Sequence, residues 1–301
     1  MEYNRDASKF SKYVHETLLS QWGMKQGLKL FGERGVEAVT KELQQIHDQK
    51  VIKPMKANEL TNEQRRKALA YRMFLKEKRD GTIKGGGCAD GRKQRSWMDK
   101  EDTSSPAVSI QALILSCMID AKEGRDTATA DIPGAFLQTD DLSGDTHLRF
   151  DKIMTELLVK IDPELYSKHI QTDSKGKKFL YAECLKAIYG TLNAALLFWL
   201  KLSKDLEAWG FKMNSYDWCV MNKTINDRQC TILWHVDDIK ISHKDADVVT
   251  SVLNQINDTY GKEARLTVTR GKHDYLGMTI DFSDKGKVKF TMIDYIQEML
   301  D

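Results

Sequence analysis

The sequence predicts an α+β fold in which helices are interspersed with strands that pair through hairpins. Several stretches place apolar residues at helical spacing, the longest being KAIYGTLNAALLFWLKLSKDLEAWG. Short apolar strands flank tight turns, most clearly in TILWHVDDIKIS at residues 231–242. With 301 residues, 41% of them apolar, the chain can bury one large core or two smaller ones.

The first part of the chain predicts a helical arm, a basic hairpin and a buried helix. Residues 8–50 form the arm, in which GVEAVTKELQQIHDQKVI is the best helix. Thr61 caps a basic helix that leads into a hairpin at residues 80–81, because an Asp-Gly pair favours tight turns. A further helix is expected from an N-cap at Ser105 to Gly124, and since it is apolar on most sides it should be buried.

The rest of the chain alternates short strands with helices. DTATADI, at residues 126–132, predicts a strand stopped by the Pro-Gly pair that follows it. Residues 140–178 are polar and turn-rich, and the strand FLYAECL and the long helix ending at Gly210 come next. After the hairpin we expect a helix capped by Asp245 or Asp247 and three strands, ARLTVTRG, YLGMTIDF and KVKFTM.

One segment is strongly basic although the whole chain is nearly neutral. Residues 65–100 carry twelve basic and four acidic side chains, a local balance of +8 in a chain of net charge +2. A solvated charged face explains most such runs. The alternative is a surface for phosphate groups, because phosphate contacts dominate nucleic-acid affinity.

The sequence has no feature typical of a secreted or membrane protein. Its first residues lack the apolar segment of a signal peptide, and the stretch AVSIQALILSCMI is too short to span a bilayer. Five cysteines without C-x-x-C spacing suggest neither a zinc site nor a disulfide framework. We therefore expect an intracellular protein without membrane contact.

Three aspartates are candidates for one site. Asp237 and Asp238 are adjacent at the tip of an apolar hairpin, and Asp131 ends a predicted strand. Turns often contain aspartate because its side chain bonds nearby backbone, so each feature alone has that simpler explanation. Charges in apolar surroundings need a partner, however, and clustered carboxylates suit a divalent cation. Together the three carboxylates could hold two Mg²⁺ ions for phosphoryl transfer.

Five motifs in one order resemble the reverse transcriptase domain of copia-type retrotransposons. They are GGGCADGRKQR, ATADIPGAFLQ, AIYGTLNAALLFW, HVDDIKIS and TVTRGKHDYLGM. The corresponding family patterns are K-x-R-x-V-A-x-G, D-V-x-x-A-F/Y, L-Y-G-x-x-x-A, Y-V-D-D and a segment ending in F/Y-L-G. The resemblance extends from about Glu33 to the C-terminus.

The resemblance implies a right-hand polymerase fold of fingers and palm. The palm would be an antiparallel sheet backed by helices, with the thumb largely missing. The implied segments are a helical arm at 1–55, a basic fingers segment and buried helix at 56–125, a palm at 126–262 with a fingers insertion at about 140–180, and primer-grip strands with the start of the thumb at 263–301.

The resemblance also implies the chemistry, an RNA-directed DNA polymerase that works by two-metal nucleotidyl transfer. Asp131, Asp237 and Asp238 match the family's catalytic, metal-binding carboxylates, which would hold two Mg²⁺ ions with Mn²⁺ as a substitute. The expected partners are an RNA or DNA template with its primer and deoxynucleoside triphosphates, while the other parts of a Pol polyprotein are absent from this chain. The expected location is the cytoplasm, with a virus-like particle or the nucleus as alternatives.

Other residues match the family's contacts to nucleotide and nucleic acid. Phe136 matches the aromatic residue that rejects a ribose 2′-hydroxyl, the alternative being an ordinary core phenylalanine. Arg270 and Lys272 are the candidates for protonating the leaving pyrophosphate. The remaining expected contacts are Lys84, Arg92, Tyr189 and Gly190 for the nucleotide, and Lys93, Arg95, His235, Tyr275, Leu276 and Gly277 for nucleic acid.

Three departures from the family pattern leave two functions open. Gly86 stands where the family has an arginine that contacts the triphosphate, His235 replaces the tyrosine of Y-V-D-D, and the chain stops inside the expected thumb. The first function is an active RNA-directed DNA polymerase. The second is a catalytically impaired remnant of a truncated element that only binds nucleic acid. A third interpretation, an unrelated α/β protein with a turn-type Asp pair, requires the motif order to be coincidence.

Overall fold

The computed structural model describes residues 21–78, 80–141 and 143–300, and they divide into two compact units. Unit 1 comprises Met1–Asp102 and Asp140–Ala194, and unit 2 comprises Thr103–Thr139 and Ala195–Asp301. In sequence, residues 140–194 are therefore inserted between the two segments of unit 2. The beginning of the predicted helical arm, residues 8–20, lies outside the described residues.

The strands, numbered along the chain, are β1 (Trp22–Gly23), β2 (Ile52–Met55), β3 (Leu69–Glu77), β4 (Ile83–Ala89), β5 (Asp126–Asp131), β6 (His147–Phe150), β7 (Gln171–Thr172), β8 (Lys178–Cys184), β9 (Lys212–Met213), β10 (Val220–Ile225), β11 (Arg228–His235), β12 (Asp238–His243), β13 (Thr267–Arg270), β14 (Lys272–Tyr275), β15 (Met278–Asp281) and β16 (Lys289–Thr291). The α-helices are α1 (Met24–Asp48), α2 (Asn62–Lys67), α3 (Ile110–Glu123), α4 (Lys152–Ile161), α5 (Pro163–Tyr166), α6 (Ala194–Ala208), α7 (Ala246–Tyr260) and α8 (Ile293–Leu300).

Unit 1 is a sheet packed against the long helix α1. The sheet has the order β1-β3-β6-β8-β2, with β4 paired to β3 and β7 paired to β8. Thr61 caps α2 as predicted, because its hydroxyl accepts the N–H of Gln64 while the Gln64 side chain accepts the N–H of Thr61. The predicted basic hairpin is also confirmed, as β3 and β4 pair on either side of Gly81, which has a φ of 77°.

The prediction for residues 140–178 was wrong, because this segment is not merely polar and turn-rich. It contains β6 and two helices, α4 and α5. Asp151 caps α4 by accepting the N–H of Met154, and Leu157 and Leu158 are buried on the same face of the helix. Apolar residues at helical spacing indicate this helix. They lie between polar stretches, which is why the segment was interpreted as polar and turn-rich.

Unit 2 contains an antiparallel sheet with helix α7 on it, which confirms the α+β class. Its order is β13-β5-β12-β11-β10-β9, and β14, β15 and β16 form a separate antiparallel sheet. Helix α7 contacts β5 and β12, and its cap is Asp245, whose side chain accepts the N–H of Asp247. Ile239 and Ile241 of β12 and Val249 of α7 are completely buried in this core.

Helix α3 begins later and is less buried than predicted. Its N-cap is Ser109 rather than Ser105, since the Ser109 hydroxyl accepts the N–H of Ala112 at 3.1 Å. The predicted end of the helix is confirmed, since Gly124 is the C-cap and has a left-handed conformation with a φ of 60°. Leu115 is 59% exposed, so the expectation of a helix buried on most sides was wrong.

Two more predicted boundaries were wrong. The long helix α6 begins at Ala194 instead of near residue 186, because Gly190 has a φ of 90° and belongs to a turn before it. The stretch YLGMTIDF is not one strand, since Leu276 and Gly277, both with positive φ, form the turn between β14 and β15. Among the described residues, no helix is both long and apolar enough to cross a bilayer.

Candidate active site and nucleic-acid surface

The sheet of unit 2 brings two of the predicted carboxylates into register. Asp131 ends β5 and pairs with Asp238, the first residue of β12. Residues directly opposite each other on antiparallel strands project from the same face of the sheet, with Cβ atoms about 5 Å apart. Thr267 of β13 pairs with Asp131 from the other side. The two aspartates therefore lie side by side at one end of the sheet.

The third carboxylate, Asp237, lies in the two-residue turn that joins β11 to β12. His235 pairs with Asp238, which leaves Val236 and Asp237 as the loop. Val236 has a φ of 58°, a strained conformation for a β-branched residue, and such strain occurs preferentially at functional sites. The backbone N–H of Ile132, next to Asp131, donates to the carbonyl oxygen of Asp237 at 3.2 Å. This hydrogen bond ties the turn to the end of β5.

The electrostatics of this cluster fit a cation. Burial and the negative charges of Asp237 and Asp131 raise the pKa of Asp238 to about 6, and His235 acts in the opposite direction. A divalent cation would relieve this repulsion, and carboxylate oxygens are the ligands that Mg²⁺ and Mn²⁺ prefer. Within residues 21–78, 80–141 and 143–300, no three His, Cys, Asp or Glu side chains are arranged as a complete ligand set. The donor chemistry fits a divalent cation, whereas a full ligand geometry is not formed.

The raised pKa of Asp238 predicts how stability depends on pH. The carboxyl group of Asp238 stays protonated up to about pH 6 in the native state, whereas it loses its proton near pH 4 in the unfolded chain. The free energy of unfolding therefore falls as the pH rises from about 4 to about 6. An Asp238→Asn variant should therefore be more stable than the native chain at pH 7.5 without divalent cations, by about 1–2 kcal/mol. Urea unfolding at pH 4.5, 6.0 and 7.5 measures the difference.

Asp227→Asn provides the control for this experiment. Asp227 is exposed at the tip of the neighbouring hairpin of the same sheet, with a φ of 56° that asparagine tolerates. This variant should keep the native pH dependence. A native slope in the Asp238→Asn variant would contradict the assignment of the pH effect to Asp238.

The predicted primer-contacting turn consists of one buried and two accessible residues. Tyr275 is only 2% exposed, and its hydroxyl donates to the backbone carbonyl of Asp238 at 3.1 Å. Its side chain is therefore engaged inside unit 2, which does not suit the expected contact with a primer. Leu276 is half-buried and Gly277 is exposed, so these two residues would make any primer contact at this turn.

The two candidates for the general acid lie away from the carboxylates. Arg270 forms an ion pair with Asp126, which begins β5, whereas Asp131 ends it. Along β13, Arg270 lies three residues beyond Thr267, the partner of Asp131, a distance of about 10 Å. Lys272 begins β14 and pairs with Asp281, at the opposite end of β14 from Tyr275. The strand direction thus argues against both residues in this conformation.

Phe136 follows β5 in a short 3₁₀ turn, Ala135–Gln138. Its ring is 8% exposed and packs edge-to-face on Phe198, with ring centroids 6.4 Å apart. This environment agrees with the alternative of a core phenylalanine. The role in excluding a 2′-hydroxyl stays a prediction.

In unit 1, the two residues predicted to bind the nucleotide, Tyr189 and Gly190, lie against the backbone of β4. The N–H of Ala89 donates to the carbonyl of Tyr189 at 2.7 Å. A Cβ atom at Gly190 would lie 2.1 Å from the carbonyl oxygen of Ala89, and one at Gly91 would lie 2.1 Å from that of Gly190. Close backbone packing therefore explains why glycine occupies position 190.

The predicted basic residues of unit 1 are exposed, and two of them line a cavity of about 950 Å³. Arg92 makes two hydrogen bonds of 2.7 Å to Asp90, while Lys84, Lys93 and Arg95 are exposed. The guanidinium groups of Arg92 and Arg72 hold the pKa of Asp90 well below its usual range. The cations lining the cavity are Lys25, Arg72, Arg92, Arg95 and Arg149, and the carboxylates lining it are Asp90 and Asp151.

Sequence reasoning missed part of this cationic cavity. Arg149 belongs to β6, in the segment interpreted as polar and turn-rich, and its guanidinium lies over the ring of Phe179 at 4.3 Å. Lys25 comes from the first turn of α1. An Arg between buried strand residues, as in HLRF, is the signal that could have indicated a functional role for Arg149.

Solved structures with some similarity to the chain include two telomerases and one viral enzyme. Telomerase from Candida albicans, in complex with a fragment of telomeric RNA, is 11% identical with a TM-score of 0.41, over 80% of this chain and 49% of that chain. The foamy viral protease-reverse transcriptase, in complex with double-stranded DNA, is 15% identical with a TM-score of 0.41, over 85% and 36%. Telomerase from Candida tropicalis, also with telomeric RNA, is 12% identical with a TM-score of 0.39, over 73% and 44%. The chain thus spans less than half the length of each.

No curated protein matches the chain. The family model for reverse transcriptase (RNA-dependent DNA polymerase) matches residues 58–301. This match covers both the β4 segment of unit 1 and the aspartate pair of unit 2, and it includes most of the chain. The chain therefore belongs to the reverse transcriptase (RNA-dependent DNA polymerase) family.

Proposed function

We propose that this chain is the RNA-directed DNA polymerase domain of a copia-type retrotransposon. The observation that carries the proposal is the pairing of Asp131 with Asp238 beside the turn that holds Asp237, in a chain that belongs to the reverse transcriptase family. The order of the five motifs supports the copia type. The substrates would be deoxynucleoside triphosphates and a primer on an RNA or DNA template.

The chain's own residues have distinct tasks in this reaction. Asp131 and Asp237 would bind divalent cations directly, and Asp238 beside them would shape the negative charge of the site. When bound, two Mg²⁺ ions supply charge neutralisation for the attacking and leaving oxygens, with Mn²⁺ as a substitute. The strained Val236 turn and the Ile132 hydrogen bond hold the carboxylates in place before substrate arrives.

The cationic cavity of unit 1 supports binding of phosphate groups. Five cations and two carboxylates line it, and this excess suits a nucleic-acid backbone or a triphosphate. Lys84, Arg92, Lys93 and Arg95 remain the proposed contacts. Arg72 and Arg149 join them because they line the same cavity as Arg92. Asp90 neutralises part of the charge of Arg92, so Lys93 and Arg95 should contribute more to affinity.

Primer extension tests the proposal. The purified chain is incubated with a DNA primer on an RNA template, deoxynucleotides and either Mg²⁺ or Mn²⁺, and the same primer on a DNA template is run in parallel. We expect template-directed incorporation with both metals and none with EDTA. Incorporation no greater than that of an Asp237→Asn variant would refute polymerase activity of this chain.

A second candidate function is nucleic-acid binding without synthesis. The observation favouring it is Gly86, which is half-buried in β4 opposite Phe74 of β3, where the resemblance places a phosphate-binding arginine. No cation occupies this pair of positions. The second function predicts tight, salt-sensitive binding of a primer–template by a chain that incorporates nothing.

Charge reversal tests the proposed binding surface. In a Lys93→Glu/Arg95→Glu variant, affinity for a primer–template should fall, and the slope of log K against log salt should become shallower by about two, because each phosphate contact contributes roughly 0.9. Fluorescence anisotropy between low and moderate salt measures both quantities. Lys175→Glu/Lys177→Glu is the matched control, since it changes the net charge equally at an exposed turn outside the basic segment of residues 65–100. Equal losses of affinity in both variants would show that the effect comes from net charge alone and not from this surface.

A further inference from the structure

Strand β14 touches both strands that carry the catalytic aspartates. His273 is completely buried and its two ring nitrogens lie 3.0 Å and 3.2 Å from the hydroxyls of Thr127 and Thr129 on β5. Two residues further along β14, Tyr275 donates its hydroxyl to the backbone carbonyl of Asp238, the first residue of β12. Side chains two residues apart on a strand project from the same face, so one face of β14 spans β5 and β12.

The protonation states of His273 and Tyr275 are compatible with these hydrogen bonds. Burial, and then the positive charge of Lys240, lower the pKa of His273 to about 4, so the imidazole is neutral near pH 7. A neutral imidazole has one donor and one acceptor nitrogen, and either tautomer can bond both threonine hydroxyls. Burial holds the pKa of Tyr275 well above its usual value, which keeps its hydroxyl protonated as a donor.

The contacts lie close to the carboxylates. Thr129 precedes Asp131 by two residues on β5, so their Cα atoms are about 7 Å apart and their side chains share a face. Tyr275 bonds the main chain of Asp238 itself. The negative charges of the two aspartates repel each other, and the hydrogen-bonded ladder between β5 and β12 opposes their separation.

We propose that His273 and Tyr275 are positioning residues that clamp β5 to β12. They thereby hold Asp131 at a fixed distance from the start of β12, where Asp237 and Asp238 lie, for cation binding. This inference rests on the proposed function. His273 is completely buried and the Tyr275 hydroxyl is engaged with a main-chain carbonyl, so neither is placed to contact substrate or cation. They act through Thr127, Thr129 and the carbonyl of Asp238, because a ligand set must be held within about 0.5 Å of its working geometry.

The test compares two variants that each lose one buried tyrosine hydroxyl. Tyr275→Phe removes the bond to Asp238, and Tyr166→Phe removes a 3.2 Å bond to His47 in unit 1, where Tyr166 is equally buried. Binding of Mn²⁺ alone to the full chain is measured by the electron paramagnetic resonance of free Mn²⁺. We expect the Kd for Mn²⁺ to rise about tenfold in Tyr275→Phe and to stay within about twofold of the native value in Tyr166→Phe. Urea unfolding should show similar stability losses for both variants.

A kinetic measurement separates positioning from general destabilisation. In primer extension, Tyr275→Phe should raise the Mg²⁺ concentration for half-maximal rate while leaving KM for the primer–template unchanged. Tyr166→Phe should change neither. Native Mn²⁺ affinity in Tyr275→Phe, or equal losses in the two variants, would overturn the clamp while leaving the proposed function intact. A native chain that binds no Mn²⁺ and extends no primer would instead overturn the proposed function.

Thr129→Val tests the other half of the clamp. This change keeps the side-chain volume and removes the hydroxyl that contacts His273. It should weaken Mn²⁺ binding in the same direction as Tyr275→Phe, because it loosens the strand that carries Asp131. Unchanged Mn²⁺ binding in a folded Thr129→Val variant would remove the Thr129 contact from the clamp.

Discussion

Replacement of Asp237 by asparagine is expected to reduce the rate of nucleotide incorporation at least about a thousandfold, which corresponds to about 4 kcal/mol of transition-state stabilisation. Asparagine has the same shape but lacks the charge that binds a divalent cation. The hairpin should survive, because its connection to β5 uses the Asp237 main-chain carbonyl, which accepts the N–H of Ile132. Single-turnover extension of a primer by one nucleotide at saturating Mg²⁺ measures the rate.

The control for this prediction is again Asp227→Asn, at the exposed tip of the β10–β11 hairpin. Both variants make the same chemical change in a two-residue turn of one sheet. Asp227→Asn should incorporate nucleotide at the native rate, and both variants should unfold at nearly native urea concentrations. More than a tenth of the native rate in Asp237→Asn would show that Asp237 does not bind the catalytic cation.

Replacement of Gly190 by alanine is expected to lower the free energy of unfolding by about 3 kcal/mol or more. The new Cβ atom would lie 2.1 Å from the carbonyl oxygen of Ala89, so the backbone of β4 or of the turn must move. The φ of 90° adds strain for any residue with a side chain. Urea unfolding monitored by circular dichroism measures the loss.

Gly86→Ala is the matched glycine substitution in the same unit. No atom lies within 4 Å of the position that its Cβ would occupy, and its φ is not positive. We expect a change in the free energy of unfolding within about 0.5 kcal/mol, because the new methyl group enters open space. Native stability of Gly190→Ala would mean that the contact with Ala89 relaxes easily, and the nucleotide would then be the better reason for glycine at position 190.

Local chemistry made several parts of the fold predictable. Thr61 with Gln64 forms a capping box, Asp-Gly at residues 80–81 forms a hairpin turn, and Gly124 ends its helix in the left-handed conformation. Each of these features depends on residues within four positions of one another. The family resemblance was also accessible, because motif order requires no knowledge of contacts.

The predictions of element boundaries and side-chain burial failed where contacts between residues distant in sequence determine them. Ser105 and Ser109 are equally good caps in sequence, but Ser109 also contacts Asp217 by two hydrogen bonds of 2.9 Å, over a hundred residues away. Tyr275 was expected to contact nucleic acid because it matches the family's F/Y-L-G motif. Its hydroxyl is instead buried against Asp238, since β14 folds back onto the sheet.

The amino-acid sequence alone indicated the family, the order of the three candidate carboxylates and the location of the basic segment. These features are written in residue type and spacing, which do not depend on how the chain packs. The tertiary structure decided which strands bring Asp131 beside Asp238, which cations share a cavity with Arg92, and that His273 and Tyr275 contact the two strands on which those aspartates lie. Strand register and side-chain burial join residues a hundred positions apart, and local sequence carries no information about that pairing.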